Sequence, residues 1–156
     1  MKEEKELKKE SLYLDTSVMS AYYDEREPLK LELTRSFWER INQYEAYISR
    51  IVQNELEAIE DNELRVKVLD LIKDFIITEV TEEEELLSDE YIKAGTIPKK
   101  FENDALQIAI ASTNAIDYFV SWNFKHIVKV KTRRMVNLIN LRYGYKPIEI
   151  ITPSEL

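Results

Sequence analysis

The segment SLYLDTS, residues 11–17, indicates the class of fold because it joins a short apolar segment to a helix-start signal. Residues 11–14 have the apolar and aromatic content of a buried strand, and Asp15 with the two hydroxyl residues after it is typical of a helix N-terminus. The pattern therefore predicts a strand that passes directly into a helix. A strand followed at once by a helix is the repeating unit of parallel α/β sheets.

The same alternation continues along the rest of the chain. Pro28 stands at the first turn of one apparent helix and Gly95 at the end of another, positions where these residue types are favoured. We therefore expect an α/β protein, a three-layer α/β/α sandwich with a central, mainly parallel sheet. Apolar spacing predicts the helices over residues 29–44, 50–60, 63–73, 82–94, 101–113 and 132–143, and β-type content predicts further strands over 46–49, 75–80, 118–121 and 148–151.

Size and composition fit one globular domain. The chain has 156 residues, 44% of them hydrophobic and 33% charged, which is enough to build one core. No linker or low-complexity boundary interrupts it, so we predict a charged N-terminal extension over residues 1–10 and a single domain over 11–156. Residues 1–10 lack an apolar leader segment, and no apolar run approaches the length of a membrane span. These features predict a cytoplasmic protein.

The scarcity of some residue types excludes several kinds of site. With no cysteine and one histidine, His126, the chain has no disulfide framework, thiolate zinc site or multi-histidine zinc site. The two glycines, Gly95 and Gly144, exclude phosphate-binding glycine loops and dinucleotide fingerprints. We interpret His126 as a structural residue or one close to a substrate.

Charge is distributed unevenly along the chain. The net charge of −8 counts against a protein that grips nucleic acid by charge alone. Residues 78–90 hold seven acids and no base, whereas residues 123–134 hold five Lys or Arg and no acid. The basic stretch fits contacts to nucleic-acid phosphates, although a solvated basic surface explains it equally well.

Three carboxylates interrupt the hydrophobic pattern. Glu55 lies at the centre of the apolar stripe of helix 50–60, and Asp104 shares a face with apolar residues of helix 101–113. An ionised carboxylate directed at a core is costly unless it is paired or coordinated. Asp15 and Asn123 each follow a strand, so both are expected at the carboxyl edge of the sheet, where parallel sheets form ligand crevices.

Each acid taken singly has a plainer explanation. Asp15 fits a helix N-cap, and Glu55 or Asp104 fits the partner of a buried arginine. Taken together, the three favour one shared metal site, and carboxylate oxygens without His or Cys suit Mg²⁺ or Mn²⁺. Asp117 opens its strand instead, which places it at the opposite edge of the sheet.

Four motifs in order resemble the PIN-domain family, particularly the VapC-type ribonuclease toxins of toxin–antitoxin pairs. They are LDTS at residues 14–17, ISRIVQNEL at 48–56, NDALQIA at 103–109 and DYFVSWNFKHI at 117–127. The resemblance covers nearly the whole chain from Ser11 on. It implies a sandwiched parallel sheet, a Mg²⁺ or Mn²⁺ site in an acidic crevice, and metal-dependent endonuclease activity on RNA.

The resemblance also assigns site residues. Asp15, Glu55 and Asp104 match the family's three core acids, which are the expected metal ligands and catalytic groups. Asn123 stands where many members carry a fourth acid, so it is expected in the catalytic cluster without the charge. Ser17 matches the small polar residue after the first acid. The residues expected to contact the substrate are Ser17, Lys125, Lys129 and Arg133.

Partners and two alternative functions follow from the same resemblance. It implies a small antitoxin protein as a partner and a homodimer, since family members commonly dimerise. One alternative is a nuclease of the same architecture that acts on DNA. The other is a PIN-like binding module with weak or no activity, which Asn123 favours and the three retained acids oppose.

Overall fold

The computed structural model describes residues 8–156 and contains one five-stranded parallel sheet with the strand order β3-β2-β1-β4-β5. Central strand β1 pairs with both β2 and β4, and Leu12 lies opposite Ala46 on one side and Tyr118 on the other. The predicted parallel sheet is confirmed. Residues 1–7 of the predicted N-terminal extension lie outside the described residues. The strands are β1 (Ser11–Leu14), β2 (Glu45–Ser49), β3 (Ile76–Thr78), β4 (Tyr118–Val120) and β5 (Glu149–Ile151).

Helices cover both faces of the sheet. The connections from β1 to β3 and those from β3 to β5 run in opposite directions across it, and right-handed crossovers therefore place α1 to α4 on one face and α5 to α7 on the other. Within residues 8–156 the helices are α1 (Thr16–Tyr22), α2 (Pro28–Glu39), α3 (Arg50–Glu57), α4 (Asn62–Leu71), α5 (Glu82–Lys93), α6 (Glu102–Thr113) and α7 (Val130–Arg142). Helix α1 packs on α2, α3 and α4, whereas α5 packs on α6 and α7. This is the expected three-layer sandwich.

Strand β1 lies at the centre of the core. Leu12, Tyr13 and Leu14 have no exposed surface, because helices cover both faces of the strand. The Tyr13 hydroxyl lies 2.7 Å from Ser49 Oγ and donates to Gln107 Oε1 at 3.0 Å, so its burial leaves no polar atom unpaired. Residues 12–14 are therefore buried on both faces of the sheet and do not alternate between buried and exposed positions.

One long helix is shorter than its pattern predicted. The helix expected over residues 29–44 ends at Glu39 and is followed by a 3₁₀ turn, Ile41–Gln43. No glycine or proline marks this end, and Phe37 and Ile41 are both buried with helical spacing on either side of it. The tight turn brings the chain to the start of β2. None of the helices in residues 8–156 has the length and apolar character needed to cross a membrane.

The strand order places a crevice at one edge of the sheet. Neighbouring strands β1 and β4 send their following segments to opposite faces, and ligand crevices form at such switch points. Asp15 follows β1 directly, and Ser121 follows β4 directly. The next side chains along each segment therefore line the same crevice.

Candidate active site

Asp15 lies at the junction of β1 and α1 with 5% of its surface exposed. Its Oδ1 accepts hydrogen bonds from the Ser17 hydroxyl and from the Ser17 backbone N–H at 3.1 Å, and its Oδ2 accepts one from Ser121 Oγ at 2.5 Å. Asp15 is thus the N-cap of α1, as the plainer interpretation expected. Burial raises the pKa of Asp15 to about 6; hydrogen bonds from Ser121 and Ser17 oppose this rise, and the charge of Asp104 adds to it.

Two serine hydroxyls connect Asp15 to the segment after β4. Ser17 Oγ accepts the backbone N–H of Trp122 at 3.0 Å, and Ser121 Oγ accepts that of Asn123 at 2.9 Å. The hydroxyl of Ser17, predicted to contact substrate, is therefore engaged inside the protein. Ser121 was not predicted, although its position at the end of β4 gives the same strand-end signal that identified Asp15.

Asp104 lies in the first turn of α6 and is half-buried. Asn123 Nδ2 donates to Asp104 Oδ2 at 3.4 Å, while Asn123 Oδ1 accepts the backbone N–H of His126 at 3.1 Å. Burial raises the pKa of Asp104, the charge of His126 opposes that rise, and the charge of Glu55 adds to it. The structure therefore brings Asn123 to Asp104 and turns its amide group, a donor, toward the carboxylate.

Glu55 is exposed, so the prediction that it is directed into the core is wrong. Val52 and Leu56 are the fully buried residues of α3 and define its inner face. Glu55 precedes Leu56 and is rotated from it by about 100° around the helix axis. Helix α3 ends at Glu57, so the apolar residues after it, which the pattern counted in the stripe, do not continue the helical spacing.

Glu55 nevertheless lies beside the crevice. Its Oε2 accepts a hydrogen bond from Thr16 Oγ1 at 2.5 Å, and Thr16 is the neighbour of Asp15 in the chain. The charge of Glu55 also acts on the pKa of Asp104. Thr16 was not predicted as a site residue, because a hydroxyl at the start of a helix is ordinarily explained by capping.

The charge of Asp104 repels those of Asp15 and Glu55, and the nearby basic group is His126, whose charge opposes the rise in the pKa of Asp104. No ion pair among residues 8–156 includes Asp15, Glu55 or Asp104, so the buried-arginine explanation does not apply within that range. In the described part of the chain, no three acidic or histidine side chains form a ready-made metal cage. The donor set consists of carboxylate oxygens, which fits a hard divalent cation such as Mg²⁺ or Mn²⁺.

His126 completes one wall of the crevice. Its ring stacks on Phe101 with the ring centroids 3.6 Å apart. A polar cleft of about 230 Å³ is lined by Lys100, Phe101 and Asp104, together with the two residues between them. His126 therefore lies next to a residue that lines the cleft, and its position close to a substrate stays a prediction.

The basic residues predicted to contact substrate lie between β4 and the first turn of α7. Lys125 and Lys129 are exposed, and Arg133 is half-buried. The Nε atom of Arg133 is buried and has no hydrogen-bond partner within residues 8–156. Their contact with phosphates stays a prediction.

A second groove, more apolar than the polar cleft beside Asp104, lies away from the three acids. It has a volume of about 340 Å³ between α5 and the end of α7, where Leu86, Leu87, Tyr143 and Tyr145 line it. None of the predicted site residues reaches it. The polar groups that can carry chemistry therefore converge at the carboxyl edge of the sheet.

Known proteins resemble this chain in sequence pattern and in fold. The profile of the PIN domain matches residues 12–124, from β1 through the segment after β4, while no curated protein matches the chain. VapBC-1 from nontypeable Haemophilus influenzae has a chain of similar fold with a TM-score of 0.59 and 14% identity, and the match covers 92% of this chain and 98% of that one. VapBC2 from Rickettsia felis, bound to a DNA fragment from their promoter, has another with a TM-score of 0.55 and 14% identity, covering 91% and 98%. Because the profile spans most of the chain and includes the positions of Asp15, Glu55, Asp104 and Asn123, the chain belongs to the PIN-domain family.

Proposed function

We propose that this chain is a divalent-metal-dependent endoribonuclease and the toxin of a toxin–antitoxin pair. The observation that carries the proposal is the group of Asp15, Glu55 and Asp104 at the carboxyl edge of the sheet. Asp104 repels the other two acids, and none of the three forms an ion pair among residues 8–156. Membership of the PIN-domain family supports a nuclease. RNA as the substrate rests on the resemblance of the four sequence motifs to the VapC-type toxins.

Asp15 and Asp104 are the principal ligands in this proposal, with Glu55 as the third acid. A divalent metal ion held by these acids would polarise a phosphate and lower the pKa of a coordinated water. Ser17 and Ser121 hold both oxygens of the Asp15 carboxylate in place, which makes Ser17 a positioning residue here. Oδ2 accepts one hydrogen bond and keeps a lone pair for a metal ion, whereas the two hydrogen bonds to Oδ1 use both of its lone pairs.

Glu55 and Asn123 have different parts in the proposal. Thr16 holds Glu55 Oε2, while Oε1 has no hydrogen-bond partner within residues 8–156 and is free to accept a proton from an attacking water. Asn123 orients Asp104 through its amide and adds no charge. The site therefore has one negative charge fewer than it would have with an acid at position 123.

Substrate binding depends on local rather than net charge. Lys125, Lys129 and Arg133 lie on the segment that begins at Asn123, whose side chain donates to Asp104. They bind the phosphates of the RNA strand on either side of the scissile bond. Binding is therefore expected to weaken steeply with added salt.

The biological setting of the proposal follows from the similar solved structures, which are VapBC assemblies. We place a small antitoxin protein over the crevice and a second copy of the chain as a dimer partner. Residues 11–156 form the single nuclease domain, and a cytoplasmic location gives it access to cellular RNA.

The test is cleavage of labelled RNAs and DNAs by the purified chain with Mg²⁺ or Mn²⁺. Wild type is expected to cleave RNA. Asp15→Asn and Asp104→Asn are expected to lower kcat by roughly 10³-fold, about 4 kcal/mol of transition-state stabilisation, because each removes a ligand charge. Asp117→Asn is the matched control, since Asp117 lies at the other edge of the sheet and binds Lys146 Nζ at 2.6 Å.

The outcomes separate the alternatives. RNA cleavage that Asp117→Asn retains and the two site variants lose supports the proposal. Cleavage restricted to DNA favours the DNA nuclease instead. If wild type leaves every RNA and DNA intact with both metals, as the site variants do, the chain is a binding module and the nuclease proposal fails.

A further inference from the structure

His126, the single histidine of the chain, lies on the segment after β4. Its ring stacks on Phe101 with the ring centroids 3.6 Å apart and an angle of 27° between the ring planes. Phe101 lines the polar cleft together with Asp104, and the charge of His126 acts on the pKa of Asp104. The imidazole is therefore close to one of the two proposed principal ligands.

The backbone of His126 is fixed at both of its polar atoms. Its N–H donates to Asn123 Oδ1 at 3.1 Å, and its carbonyl accepts a hydrogen bond from Thr132 Oγ1 at 3.4 Å. Asn123 also donates to Asp104 Oδ2 at 3.4 Å, so one amide side chain joins His126 to Asp104. These contacts and the stack on Phe101 hold the imidazole at a defined place beside Asp104.

The ring nitrogens of His126 have no partner within residues 8–156. The hydrogen bonds that His126 makes in that range use its backbone, and none of the ion pairs there includes it. The residue is half-buried, so its ring is not sealed in the core. A stack covers the face of a ring, whereas the nitrogens lie at its edge. They are therefore able to donate a hydrogen bond or a proton to a ligand.

The proposed reaction needs a proton donor that the three acids do not supply. When water attacks phosphorus, the bond from phosphorus to the leaving sugar oxygen breaks, and that oxygen keeps the electron pair. Asp15 and Asp104 must be ionised to hold a cation, and Glu55 accepts a proton from the attacking water. An imidazolium group gives up a proton readily near neutral pH, whereas a lysine ammonium group holds its proton too tightly. His126 is the group beside the acids that fits this task.

We propose that His126 is a catalytic residue, the general acid that donates a ring proton to the leaving sugar oxygen while Glu55 accepts a proton from the attacking water. The inference rests on the proposed function and adds to it a catalytic residue outside the acidic group. Water contributes its hydroxide to phosphorus, and the leaving oxygen becomes a hydroxyl group. The step leaves His126 neutral and Glu55 protonated, and proton exchange with solvent restores both.

The test compares cleavage of an RNA with cleavage of the same RNA carrying sulfur in place of the leaving oxygen, which the ends of the wild-type products identify. His126→Gln is expected to lower kcat on the ordinary RNA about 100-fold with little change in KM, because loss of a general acid commonly costs that much. A thiolate leaves without being protonated, so wild type and His126→Gln are expected to cleave the sulfur substrate at similar rates. Glu55→Gln is the matched control, because it impairs the attacking water and sulfur should not restore its activity.

Two further measurements separate proton donation from other roles of His126. Imidazole added to the solution is expected to restore part of the kcat of His126→Ala, whose short side chain leaves space beside Phe101, but none of that of Asp104→Asn. Mn²⁺ is expected to bind His126→Gln at least as tightly as wild type in calorimetric titration, because no ligand of the ion is lost. A merely structural role of His126 would slow cleavage of the ordinary and the sulfur substrate equally.

The proposal is overturned if His126→Gln cleaves the ordinary RNA as fast as wild type, or if sulfur at the leaving position does not restore its rate. Weaker binding of Mn²⁺ by His126→Gln would also overturn it, since His126 would then be a ligand of the ion. Failure of the nuclease proposal looks different, because a wild type that cleaves neither RNA contradicts both proposals. A wild type that cleaves RNA while His126→Gln is equally active contradicts the general acid alone.

Discussion

The two edges of the sheet hold aspartates in opposite circumstances. Asp117, directly before β4, accepts hydrogen bonds from the Ser11 backbone N–H at 2.8 Å, from Ser11 Oγ at 3.1 Å and from Lys146 Nζ at 2.6 Å. Burial alone would raise the pKa of Asp117, but Lys146 and Ser11 lower it below its ordinary value. Asp15, directly after β1, has hydroxyl and amide donors but no cation within residues 8–156, and burial raises its pKa to about 6.

The difference between these aspartates separates a structural acid from a candidate ligand. Lys146 compensates the charge of Asp117 within the protein, so ionised Asp117 supports the fold. Within residues 8–156 no ion pair compensates the charge of Asp15, so a bound cation is the compensation that we propose. A buried acid left in that state lowers the stability of the fold and is typical of functional sites.

Neutralising the two aspartates should change stability in opposite directions. In EDTA at pH 8, Asp15→Asn is expected to raise the free energy of unfolding by about 3 kcal/mol, because it removes a desolvated charge whose pKa is raised from 3.8 to about 6. Asparagine also remains a good N-cap for α1. Asp117→Asn is expected to lower the free energy of unfolding by about 1 to 2 kcal/mol through the loss of its charged hydrogen bonds. Urea denaturation measures both, and a loss of stability in both variants would break the comparison.

Binding of a divalent cation should remove most of the stability difference between wild type and Asp15→Asn. At a free Mn²⁺ concentration 100-fold above its dissociation constant, wild type should gain about 2.7 kcal/mol, which corresponds to about 5 to 10 °C in unfolding temperature for a domain of this size. Asp117→Asn should show the same shift and Asp15→Asn little of it. Differential scanning fluorimetry with and without Mn²⁺ checks this, and equal shifts in all three proteins would locate the ion elsewhere.

The pH dependence of stability should differ between the two aspartates. The pKa of Asp15 in the folded protein, about 6, lies above its ordinary value of 3.8, so protonation favours the folded state. This stabilisation is complete below 3.8 and is lost as the pH rises through 6. The advantage of Asp15→Asn over wild type in EDTA should therefore shrink by at most about 1.4 kcal/mol per unit as the pH falls from 6 to 4.

Asp117 gives the opposite dependence and serves as the control. Its pKa is lowered in the folded protein, so its contribution is present above its ordinary pKa and is lost as the pH falls. The deficit of Asp117→Asn relative to wild type should therefore narrow toward acid pH. Urea denaturation of the three proteins at several pH values measures both trends, and an advantage of Asp15→Asn that does not vary with pH would contradict the raised pKa.

The sequence pattern predicted the order of strands and helices because each element has its own apolar period. It also placed Asp15 correctly, since a residue that follows a central parallel strand can only lie at the carboxyl edge of the sheet. The ends of helices were harder to predict from the sequence. Helix α2 ends at Glu39 without a glycine or proline, because the path of the chain into β2 ends it and no local sequence signal does.

The lack of a local sequence signal also explains the wrong prediction for Glu55 and the two site residues that were not predicted, Thr16 and Ser121. The stripe around Glu55 assumed that helical spacing continues past Glu57, where α3 ends, so the inner face was assigned to the wrong side. Thr16 and Ser121 act through contacts with acids distant in sequence, across 39 residues for Glu55 and 106 for Asp15. A single sequence carries no local signal for such pairs, whereas it does carry one for a carboxylate on an apolar face.

Asn123→Asp is the smallest of these substitutions, because it changes the charge at position 123 with little change in the shape of the side chain. The new carboxylate would keep the acceptor for the His126 backbone N–H but would place an oxygen, in place of the amide donor, 3.4 Å from Asp104 Oδ2. Two charges about 4 Å apart in a solvated crevice repel by about 1 kcal/mol, so the variant should be less stable than wild type by that amount in EDTA. The same repulsion is relieved by a cation, so Mn²⁺ should bind the variant more tightly in calorimetric titration. Unchanged Mn²⁺ affinity together with unchanged stability would mean that position 123 lies outside the field of the acids, and that the uncompensated charge at this edge of the sheet belongs to Asp15, Glu55 and Asp104 alone.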